Sequence, residues 1–368
     1  MTLPHNIFEV LSEKRSLIGV FFIILQLKII TMKILVTGGN GYIGSHTLIQ
    51  LIEEGGFEVV SIDNLSRSSR GMMQRIEDIT GVKVTNHEID LCDRNALFQV
   101  LQQEGHIDGI IHFAAFKSVP ESVDKPLMYY RNNLNSLMNV LEACDRFAIP
   151  NLIFSSSCSI YGEVDTLPVT EETPMGKAAC PYAHTKQIGE TMIRTFCQKR
   201  PDFRAIILRY FNPVGADMSG LIGELSHDMP NNLMPIIMET ASGKRSSMTV
   251  FGTDYDTRDG SCIRDYIHVT DIANAHVQAL LFAIRREYRE NCSVFNLGSG
   301  NGVTVLEMLN AFEKIMGRKL NYTIGPRRQG DVAAIYSDSQ KAEKLLGWKC
   351  RYNVEDMIKS AWAWEQNR

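Results

Sequence analysis

The chain has 368 residues, 44% of them hydrophobic, and can therefore bury a large core as two domains or as one domain with a sizeable extension. Its formal net charge is only −4, which excludes a global basic field for nucleic acid or an anionic membrane, so we expect neither as a partner. The eight cysteines form no C-x-x-C pair or ligand cluster, so no disulfide framework or metal site is predicted, and a cytoplasmic location is expected.

Residues 1–31 differ in character from the rest of the chain. An apolar run from Leu17 to Leu27, with basic residues on both sides, resembles the core of a signal peptide but lacks a small-residue cleavage site. It is also too short to span a bilayer comfortably. We expect an extension outside the fold, for which an incorrectly chosen start codon is one origin, and we favour it over a weak membrane anchor.

The next segment predicts a strand that runs into a helix. The apolar residues at 34–36 are typical of a strand buried on both faces, and Gly38, Gly41 and Gly44 follow at three-residue spacing. Without Cβ atoms in this turn, backbone N–H groups at the helix start can approach a pyrophosphate, whose charge suits that end of the helix. A dinucleotide site is therefore predicted, with a turn that merely closes a βα unit as the alternative.

A second apolar run, at 57–62, ends at Asp63, about twenty residues past the glycines. A carboxylate there accepts hydrogen bonds from the adenosine ribose and repels a 2′-phosphate, so NAD is favoured over NADP. Arg67 and Arg70 would suit a 2′-phosphate, but we interpret them as solvated loop cations.

Strands and helices continue to alternate along the chain. Further strands are predicted at 82–89, 109–113 and 151–155, and helices at 96–103 and 132–147. This order predicts an α/β fold, a Rossmann-type doubly wound parallel sheet whose ligands lie beyond the carboxyl ends of the strands. The site candidates at those ends are Asp90, Leu91, Ala114, Ala115, Lys117 and the hydroxyl run Ser155 to Ser159.

After residue 212 the βα units become less clear. We expect a dinucleotide-binding domain at 32–212 and a smaller substrate-binding domain at 213–368, with a strand at 295–298 returning to the first domain and a helix at 303–315. Trp348, Trp362 and Trp364 are interpreted as packing anchors.

Pro181 can occupy the first turn of a helix, which places Tyr182 and Lys186 on one helical face. A phenol has a pKa near 10, and a neighbouring cation favours the phenolate. Lowering this pKa to about 7 needs about 4 kcal/mol, which Lys186 and the positive ring of an oxidised nicotinamide would supply together. The pair is informative because it follows the glycine turn, the acidic strand end and a serine-bearing strand.

These motifs, in this order, resemble the extended short-chain dehydrogenase/reductase superfamily. From residue 32 to the C terminus, the chain further resembles the UDP-galactose 4-epimerase family in five segments. They are Phe154 to Ser157, Arg209 to Ala216, Pro230 to Pro235, Arg264 to Val269 and Arg327 to Asp331.

The resemblance implies three sets of site residues. The catalytic trio would be Ser157, Tyr182 and Lys186. Contacts with NAD would come from Gly38, Gly41, Tyr42, Ile43, Gly44, Asp63, Asn64, Asp90, Leu91, Phe113, Ala114, Lys117, Asn132, Ser157, Tyr182, Lys186 and Tyr210. Contacts with a UDP-sugar would come from Ser157, Tyr182, Asn212, Asn232, Leu233, Phe251, Arg264, Tyr266, Arg328, Asp331 and Ile335. A surface ion pair is the alternative for Arg264 and Arg328.

The activity that the resemblance implies is 4-epimerisation of UDP-glucose and UDP-galactose through a 4-keto intermediate, with tightly held NAD. A nucleotide-sugar 4,6-dehydratase is the rival enzyme, but Cys158 and Ser159 stand where that family has a carboxylate pair. A non-catalytic NAD sensor is the rival from another class, and such proteins typically lack the tyrosine.

The preferred sugar stays open. In the family, the position of Ile335 walls the pocket near the 2-substituent, where an aromatic residue excludes N-acetyl groups and a small one admits them. The segment Ala114 to Pro120 also ends in Ser-Val-Pro, which resembles epimerases of N-acetylated sugars, so UDP-N-acetylglucosamine is an alternative substrate. By resemblance we further expect a homodimer formed through the two helices after Asn132 and Pro181.

Overall fold

The computed structural model describes residues 31–225, 230, 232–328 and 331–368. The extension predicted at 1–31 lies outside these residues except for its last one, as do Asn231, Gln329 and Gly330 of the segments that carry the resemblance. Among the described residues, no helix combines the length and the hydrophobicity that a membrane crossing requires.

In the described part of the chain, seven strands form one parallel sheet. In spatial order they are β10 (Cys292–Leu297), β6 (Arg204–Tyr210), β5 (Asn151–Ser157), β4 (Gly109–His112), β1 (Met32–Thr37), β2 (Phe57–Ile62) and β3 (Thr85–His87). The helices that lie between them along the chain include α1 (Tyr42–Glu54), α2 (Gly71–Thr80), α3 (Arg94–Glu104), α4 (Val119–Asp124), α5 (Pro126–Arg146), α6 (Pro181–Lys199) and α8 (Val269–Arg285). The predicted doubly wound α/β fold is confirmed.

Strand β1 is buried on both faces, as its apolar run predicted. Ile34 and Val36 pack in an apolar cluster with residues of α1 and α8, whereas Leu35 packs in a second cluster with residues of α3, α5 and α6. Successive side chains of a strand point to opposite faces, so helices cover both sides of the sheet. Ligands must therefore approach along an edge.

Several predicted boundaries are wrong, and three of them have a clear physical reason. β3 covers three residues rather than 82–89, because it is the outermost strand and pairs only with the end of β2. α5 begins at Pro126, before the predicted start at 132, since a proline suits the first turn of a helix. β5 runs on to Ser157 rather than 155, because its pairing with β6 continues through that residue. Ser157, the predicted catalytic serine, therefore belongs to the sheet.

The second half of the chain contains one β-α-β succession, in a region where the sequence predicts fewer clear βα units. It consists of β9 (Ile263–His268), α8 and β10. β10 pairs with β6, which confirms the strand predicted to return to the first domain. α8 contributes Ile272, Ala275 and Leu280 to the cluster on which α1 packs. Residues after 212 thus complete the main sheet and one of its faces.

Smaller sheets lie beside the main one. β9 pairs with β7 (Asn212–Val214), β11 (Gly302–Thr304) and β13 (Ala334–Ile335), while β8 (Met248–Phe251) pairs with β12 (Tyr322–Gly325). The remaining helices are α7 (Leu233–Ala241), α9 (Val305–Met316), α10 (Gln340–Leu346) and α11 (Val354–Asn367). Trp362 packs with Phe312 in the cluster between α7, α9 and α11. All three tryptophans are buried, which confirms them as packing anchors.

Candidate active site

The carboxyl ends of five neighbouring strands carry predicted site residues. Because the strands are parallel, these ends lie at one edge of the sheet. The residues there are Gly38 after β1, Asp63 after β2, Phe113 after β4, Ser157 at the end of β5 and Tyr210 at the end of β6.

The turn after β1 requires glycine at two positions. Gly38 has a φ of 72°, and a Cβ added to it would lie 2.9 Å from the backbone N of Ala114. A Cβ on Gly44 would lie 2.2 Å from the carbonyl oxygen of Gly38. Gly41 precedes α1 without capping it by a side chain, so the first N–H groups of the helix, including those of Tyr42 and Ile43, face the turn uncapped. This cradle fits a pyrophosphate.

Asp63 is buried and organises the loop that follows β2. Its Oδ2 accepts from the backbone N of Asn40 at 3.1 Å, and its Oδ1 accepts from Leu65 N at 2.9 Å and Ser68 Oγ at 2.7 Å. Asn40 also donates from Nδ2 to the carbonyl oxygen of Ser69 at 3.0 Å, while its Oδ1 is buried with no hydrogen-bond partner among the described residues. Since a carboxylate accepts about four hydrogen bonds, acceptor capacity remains here for ribose hydroxyl groups.

The two arginines of this loop are exposed, as predicted for solvated cations, and each also pairs with a carboxylate. The Arg67 side chain is 37% exposed, donates to Oε1 of Glu121 at 2.7 Å and lies 5.1 Å from the centre of the Phe116 ring. The Arg70 side chain is 78% exposed and donates two hydrogen bonds to Glu88, of 2.9 and 2.7 Å. The predicted preference for NAD over NADP therefore depends on the carboxylate of Asp63.

The predicted NAD contacts after β3 also hold the local backbone. Asp90 is exposed and accepts from the backbone N of Cys92 at 2.8 Å. The Leu91 side chain is buried in the core, and its carbonyl oxygen accepts from Asn139 at 2.7 Å. Asn64, which lies in the loop after β2, accepts from the backbone N of Ser66. Each of these residues thus has a local structural role beside its predicted contact with NAD.

The loop after β4, which carries Phe113, Ala114 and Lys117, is tied to α6 by a residue that the sequence did not reveal. Asn133 accepts from the backbone N of Phe116 and donates to its carbonyl oxygen, at 2.8 and 3.0 Å. It also donates to Thr185 Oγ1 at 3.2 Å and accepts from the predicted contact Asn132 at 3.0 Å. The loop is thereby held next to the helix that carries the catalytic pair.

The structure brings the predicted catalytic trio together. Ser157 ends β5 and accepts from the backbone N of Ser159 at 3.2 Å, which caps the 3₁₀ helix Cys158–Tyr161. On α6, the Lys186 ammonium lies 5.9 Å from the centre of the Tyr182 ring. It donates to the carbonyl oxygen of Ser155 at 2.6 Å, and the Ser155 hydroxyl is hydrogen-bonded to Tyr210. The common face predicted for Tyr182 and Lys186 is thus found.

Burial dominates the electrostatics of the trio. It raises the pKa of Tyr182 to about 12, while the Ser157 hydroxyl acts in the opposite direction. Burial lowers the pKa of Lys186 to about 8, while the charge of Glu190 raises it. The predicted lowering of the Tyr182 pKa involves Lys186 and an oxidised nicotinamide together, and it stays a prediction. Bringing this pKa from 12 to 7 would require about 7 kcal/mol.

A buried ion pair lies one helical turn beyond Lys186. Glu190 accepts two hydrogen bonds from Arg209, at 2.9 and 2.7 Å, and one from Ser156 Oγ at 2.6 Å. Sequence reasoning missed this pair. The four-residue spacing of Lys186 and Glu190 on a predicted helix was the available signal.

On the other side of the cleft, two arginines share one carboxylate. Arg328 donates to both oxygens of Asp331, at 3.1 and 2.8 Å, and Arg264 approaches the same group at 3.4 Å while donating to Val332 O at 2.8 Å. The ion-pair alternative is therefore also found, but two cations on one anion leave a net positive charge. Such a charge suits a diphosphate.

Other predicted substrate contacts lie around these arginines. Asn212 is opposite Tyr266 in the pairing of β7 with β9. Phe251 has a ring that is 42% exposed, with the Arg328 guanidinium 5.9 Å from its centre. Leu233 begins α7 and packs on the apolar cluster there.

Glu224, which the sequence did not single out, links the two halves of the site. Its Oε1 accepts from Lys117 at 2.7 Å and from Asn232 at 2.9 Å. Lys117 is a predicted NAD contact and Asn232 a predicted substrate contact, so one carboxylate oxygen joins both regions. No local pattern signals such a contact, because its three members are distant in the chain.

Ile335 is part of a small apolar cluster. It is 6% exposed and packs with Ile160, Tyr161 and Phe211, with Cys158 at the margin. The cluster contains residues that directly follow Ser157 and Tyr210. The predicted sugar wall is thus supported by the same strands that carry the catalytic centre.

Comparison with known proteins agrees with this geometry. Residues 34–298, more than half of the chain, match the NAD dependent epimerase/dehydratase family. The chain belongs to this family. The chain is also 45% identical to UDP-glucose 4-epimerase of Dictyostelium discoideum, over 90% of this chain and 95% of that protein. The resemblance inferred from the motifs is therefore confirmed.

Solved structures of the epimerase family share the fold. The UDP-glucose-4-epimerase of Stenotrophomonas maltophila, with bound NAD and formylated UDP-arabinopyranose, is 42% identical with a TM-score of 0.87, over 91% of this chain and 98% of that one. The UDP-Glc/GlcNAc 4-epimerase of Campylobacter jejuni is 38% identical with a TM-score of 0.78, over 91% and 99% of the two chains.

Replacing Gly44 by alanine should impair NAD binding. The added Cβ would meet the Gly38 carbonyl at 2.2 Å, and this backbone can yield only if the whole turn moves. We expect NAD affinity, measured by titration of the stripped protein, to fall by about tenfold or more, the effect of 1.4 kcal/mol. Gly71→Ala is the matched control, because its nearest contact would be 3.7 Å away. Equal NAD affinities in the two variants would contradict the prediction that this glycine turn binds the pyrophosphate.

Proposed function

We propose that this chain is an NAD-dependent UDP-glucose 4-epimerase, which interconverts UDP-glucose and UDP-galactose through a 4-keto sugar. The observation that carries the proposal is the convergence of Ser157, Tyr182 and Lys186 beside the Gly38 cradle. The relatives of the same name, in particular that of D. discoideum, support the substrate.

The residues present fit NAD. The turn of Gly38 and Gly44 would hold the pyrophosphate, Asp63 the adenosine ribose, and Lys186 the nicotinamide ribose. When bound, NAD supplies reversible acceptance of the hydride from C4 of the sugar. The epimerase therefore needs no net oxidant or reductant.

Tyr182 acts as the acid and base of the reaction. Its buried phenol, with a pKa of about 12, keeps its proton at neutral pH unless a positive charge lies beside the ring. Ser157 acts to lower the pKa of this phenol and would polarise the 4-oxygen of the sugar. Tyr182 then takes the proton of the 4-hydroxyl and returns it after the sugar has turned over.

The remaining polar groups favour a firmly held nucleotide and a loosely held hexose. The net positive charge of Arg264 and Arg328 over Asp331 would bind the diphosphate, and the exposed ring of Phe251 lies next to Arg328. A hexose tethered by its UDP alone can present either face of C4. This freedom is what inversion requires.

The residues after Ser157 argue against a dehydratase. Burial raises the pKa of Cys158 to about 12, so its thiol stays neutral, and the Ser159 hydroxyl donates to Ser157 at 3.0 Å. Neither side chain can act as the acid or the base that elimination of water needs.

Tyr182→Phe should abolish turnover and leave the fold intact. Removal of an acid and base typically costs about 100-fold to 10,000-fold in rate, so conversion of UDP-glucose to UDP-galactose should fall by at least about 100-fold. Tyr322→Phe, on an exposed ring, is the matched control and should keep its rate. Wild-type protein without epimerisation would contradict the proposed function, and a deoxy-keto product would identify a dehydratase.

UDP-N-acetylglucosamine is the second candidate substrate, because Ile335 is smaller than the aromatic residue that excludes N-acetyl groups. Ile335→Tyr should lower kcat/KM for this sugar by about tenfold more than for UDP-glucose, since the larger ring would fill the space of the 2-substituent. Ile324→Tyr, at a position that is 62% exposed, controls for the substitution itself. An equal loss of kcat/KM with both sugars would show that the residue at position 335 does not determine which 2-substituent the site accepts.

We propose further that the epimerase is a homodimer. A groove of about 770 Å³ on the outer side of α5 and α6 is lined by Leu141, Ile188, Thr191 and Phe196, and a second copy would cover these residues.

Thr191→Arg should place a charge in this interface and convert the dimer to a monomer in sedimentation experiments. Thr323→Arg, on exposed β12, is the control and should leave the dimer intact. A monomeric wild type would contradict the proposal.

We also infer that the epimerase works in the cytoplasm. All eight cysteines are unpaired thiols in the structure, as is usual in a reducing compartment. Cell fractionation should recover the activity with cytoplasmic proteins, whereas recovery with membranes would favour the anchor alternative for residues 1–31.

A further inference from the structure

The ion pair beyond Lys186 is more deeply buried than its neighbours in the site. The Glu190 side chain is fully buried and that of Arg209 is 3% exposed. Glu190 accepts three short hydrogen bonds, two from Arg209 and one from Ser156, and the half-exposed Arg194 lies farther from it, at 3.8 Å. Burying two charges has a large desolvation cost, and apolar residues of similar size are often as stable. Stability alone therefore does not explain the pair.

The pair holds the strand end that carries the catalytic serine. Ser156, whose hydroxyl donates to Glu190, lies between two residues that touch the trio. The carbonyl oxygen of Ser155 accepts from the Lys186 ammonium, and Ser157, itself one of the trio, lowers the pKa of Tyr182. Moving Ser156 would therefore displace the partners of both catalytic side chains.

Arg209 extends the connection to two further elements. Its Nη1 donates to the Tyr161 hydroxyl at 3.0 Å, which in turn donates to Asn296 Oδ1 at 2.6 Å. Tyr161 ends the 3₁₀ helix that Ser157 caps, and Asn296 lies on β10. The ion pair thus fixes α6, β5, β6 and the 3₁₀ helix relative to one another.

The pair also sets the charge around Lys186. Burial lowers the pKa of His112 to about 3, and burial raises the pKa values of the tyrosine and cysteine side chains nearby, so these groups are neutral at physiological pH. They come from four elements: His112 from β4, Tyr210 from β6, Tyr182 from α6 and Cys158 from the 3₁₀ helix. Among the residues that the structure describes, Glu190 is the one carboxylate that acts on the Lys186 ammonium. The buried Arg209 balances its charge at 2.7 Å, and the half-exposed Arg194 on the same helix contributes more weakly at 3.8 Å.

We propose that Glu190 and Arg209 are a positioning pair for the catalytic centre: they hold the strand end at Ser156 and keep the Lys186 ammonium charged without placing an unbalanced charge beside it. The assignment of Lys186 to catalysis rests on the proposed epimerase function. The geometry of the pair and its electrical effect on Lys186 do not depend on that function.

The test measures the titration of Lys186 directly. The protein is labelled with ¹³Cε-lysine, loaded with NAD and studied by NMR over a range of pH. The resonance of Lys186 is identified by its absence in Lys186→Met, and the pH at the midpoint of its titration is measured. Glu190→Gln keeps an oxygen for Ser156 but leaves Arg209 as an unpaired cation, so the midpoint should fall by about one pH unit or more. Arg209→Gln leaves Glu190 unpaired, so the midpoint should rise.

Two further variants separate charge from shape. The double variant Glu190→Gln with Arg209→Gln has no net charge change, and its midpoint should return to the wild-type value. Arg209→Lys keeps the positive charge but cannot form the paired hydrogen bonds of the guanidinium group with Glu190. It should therefore keep the midpoint of the Lys186 titration while lowering the melting temperature. If one of the two single variants does not fold, the direction of the Lys186 midpoint shift in the other variant still tests the proposal. Shifts of the same sign in both single variants, or no shift in either, would overturn the proposal.

Activity provides the second readout. If Lys186 must be charged, the alkaline limb of kcat for UDP-glucose should move with each midpoint, to lower pH in Glu190→Gln, while KM stays within about twofold. A purely structural pair would instead reduce kcat equally at every pH. Wild-type protein that shows the titration but no epimerisation would count against the proposed function and leave the positioning pair supported.

Discussion

The hydrogen bond from the Lys186 ammonium to the Ser155 carbonyl is the contact on which the site depends. A cation buried to this extent must be hydrogen-bonded, because an unpaired charge in the interior is far less stable than one in water. The bond joins α6, which carries Tyr182, to the end of β5, which carries Ser157. Residues that are twenty-five positions apart in the chain are thereby aligned as one reacting group.

The same burial keeps the chain unreactive by itself. Burial of Tyr182 stabilises the phenol over the phenolate, so the proposed base needs a positive charge in addition to that of Lys186. Under the proposed function, NAD would supply that charge, and proton transfer and hydride transfer would depend on the same binding event.

Much of the fold and of the candidate site was predictable from sequence, because these features depend on local patterns. The apolar run at 34–36, the glycine spacing and the four-residue interval from Tyr182 to Lys186 each act within one element. The contacts that escaped prediction join distant segments, as Glu224 does with Lys117 and Arg209 does with Glu190. The length of β3 and the β-α-β unit around α8 likewise depend on neighbours in the sheet, which no local window contains. The direction of the Tyr182 pKa shift depends on burial, and so it too required the fold.

The apolar cluster around Ile335 has a consequence for how such enzymes change their sugar range. Ile335 shares its packing with Ile160 and Phe211, and these two lie three and one residues beyond Ser157 and Tyr210. Close-packed interiors transmit a change in volume to every neighbour. We therefore expect evolution toward a new hexose to change Ile335 together with its neighbours, because compensating replacements keep the cluster packed.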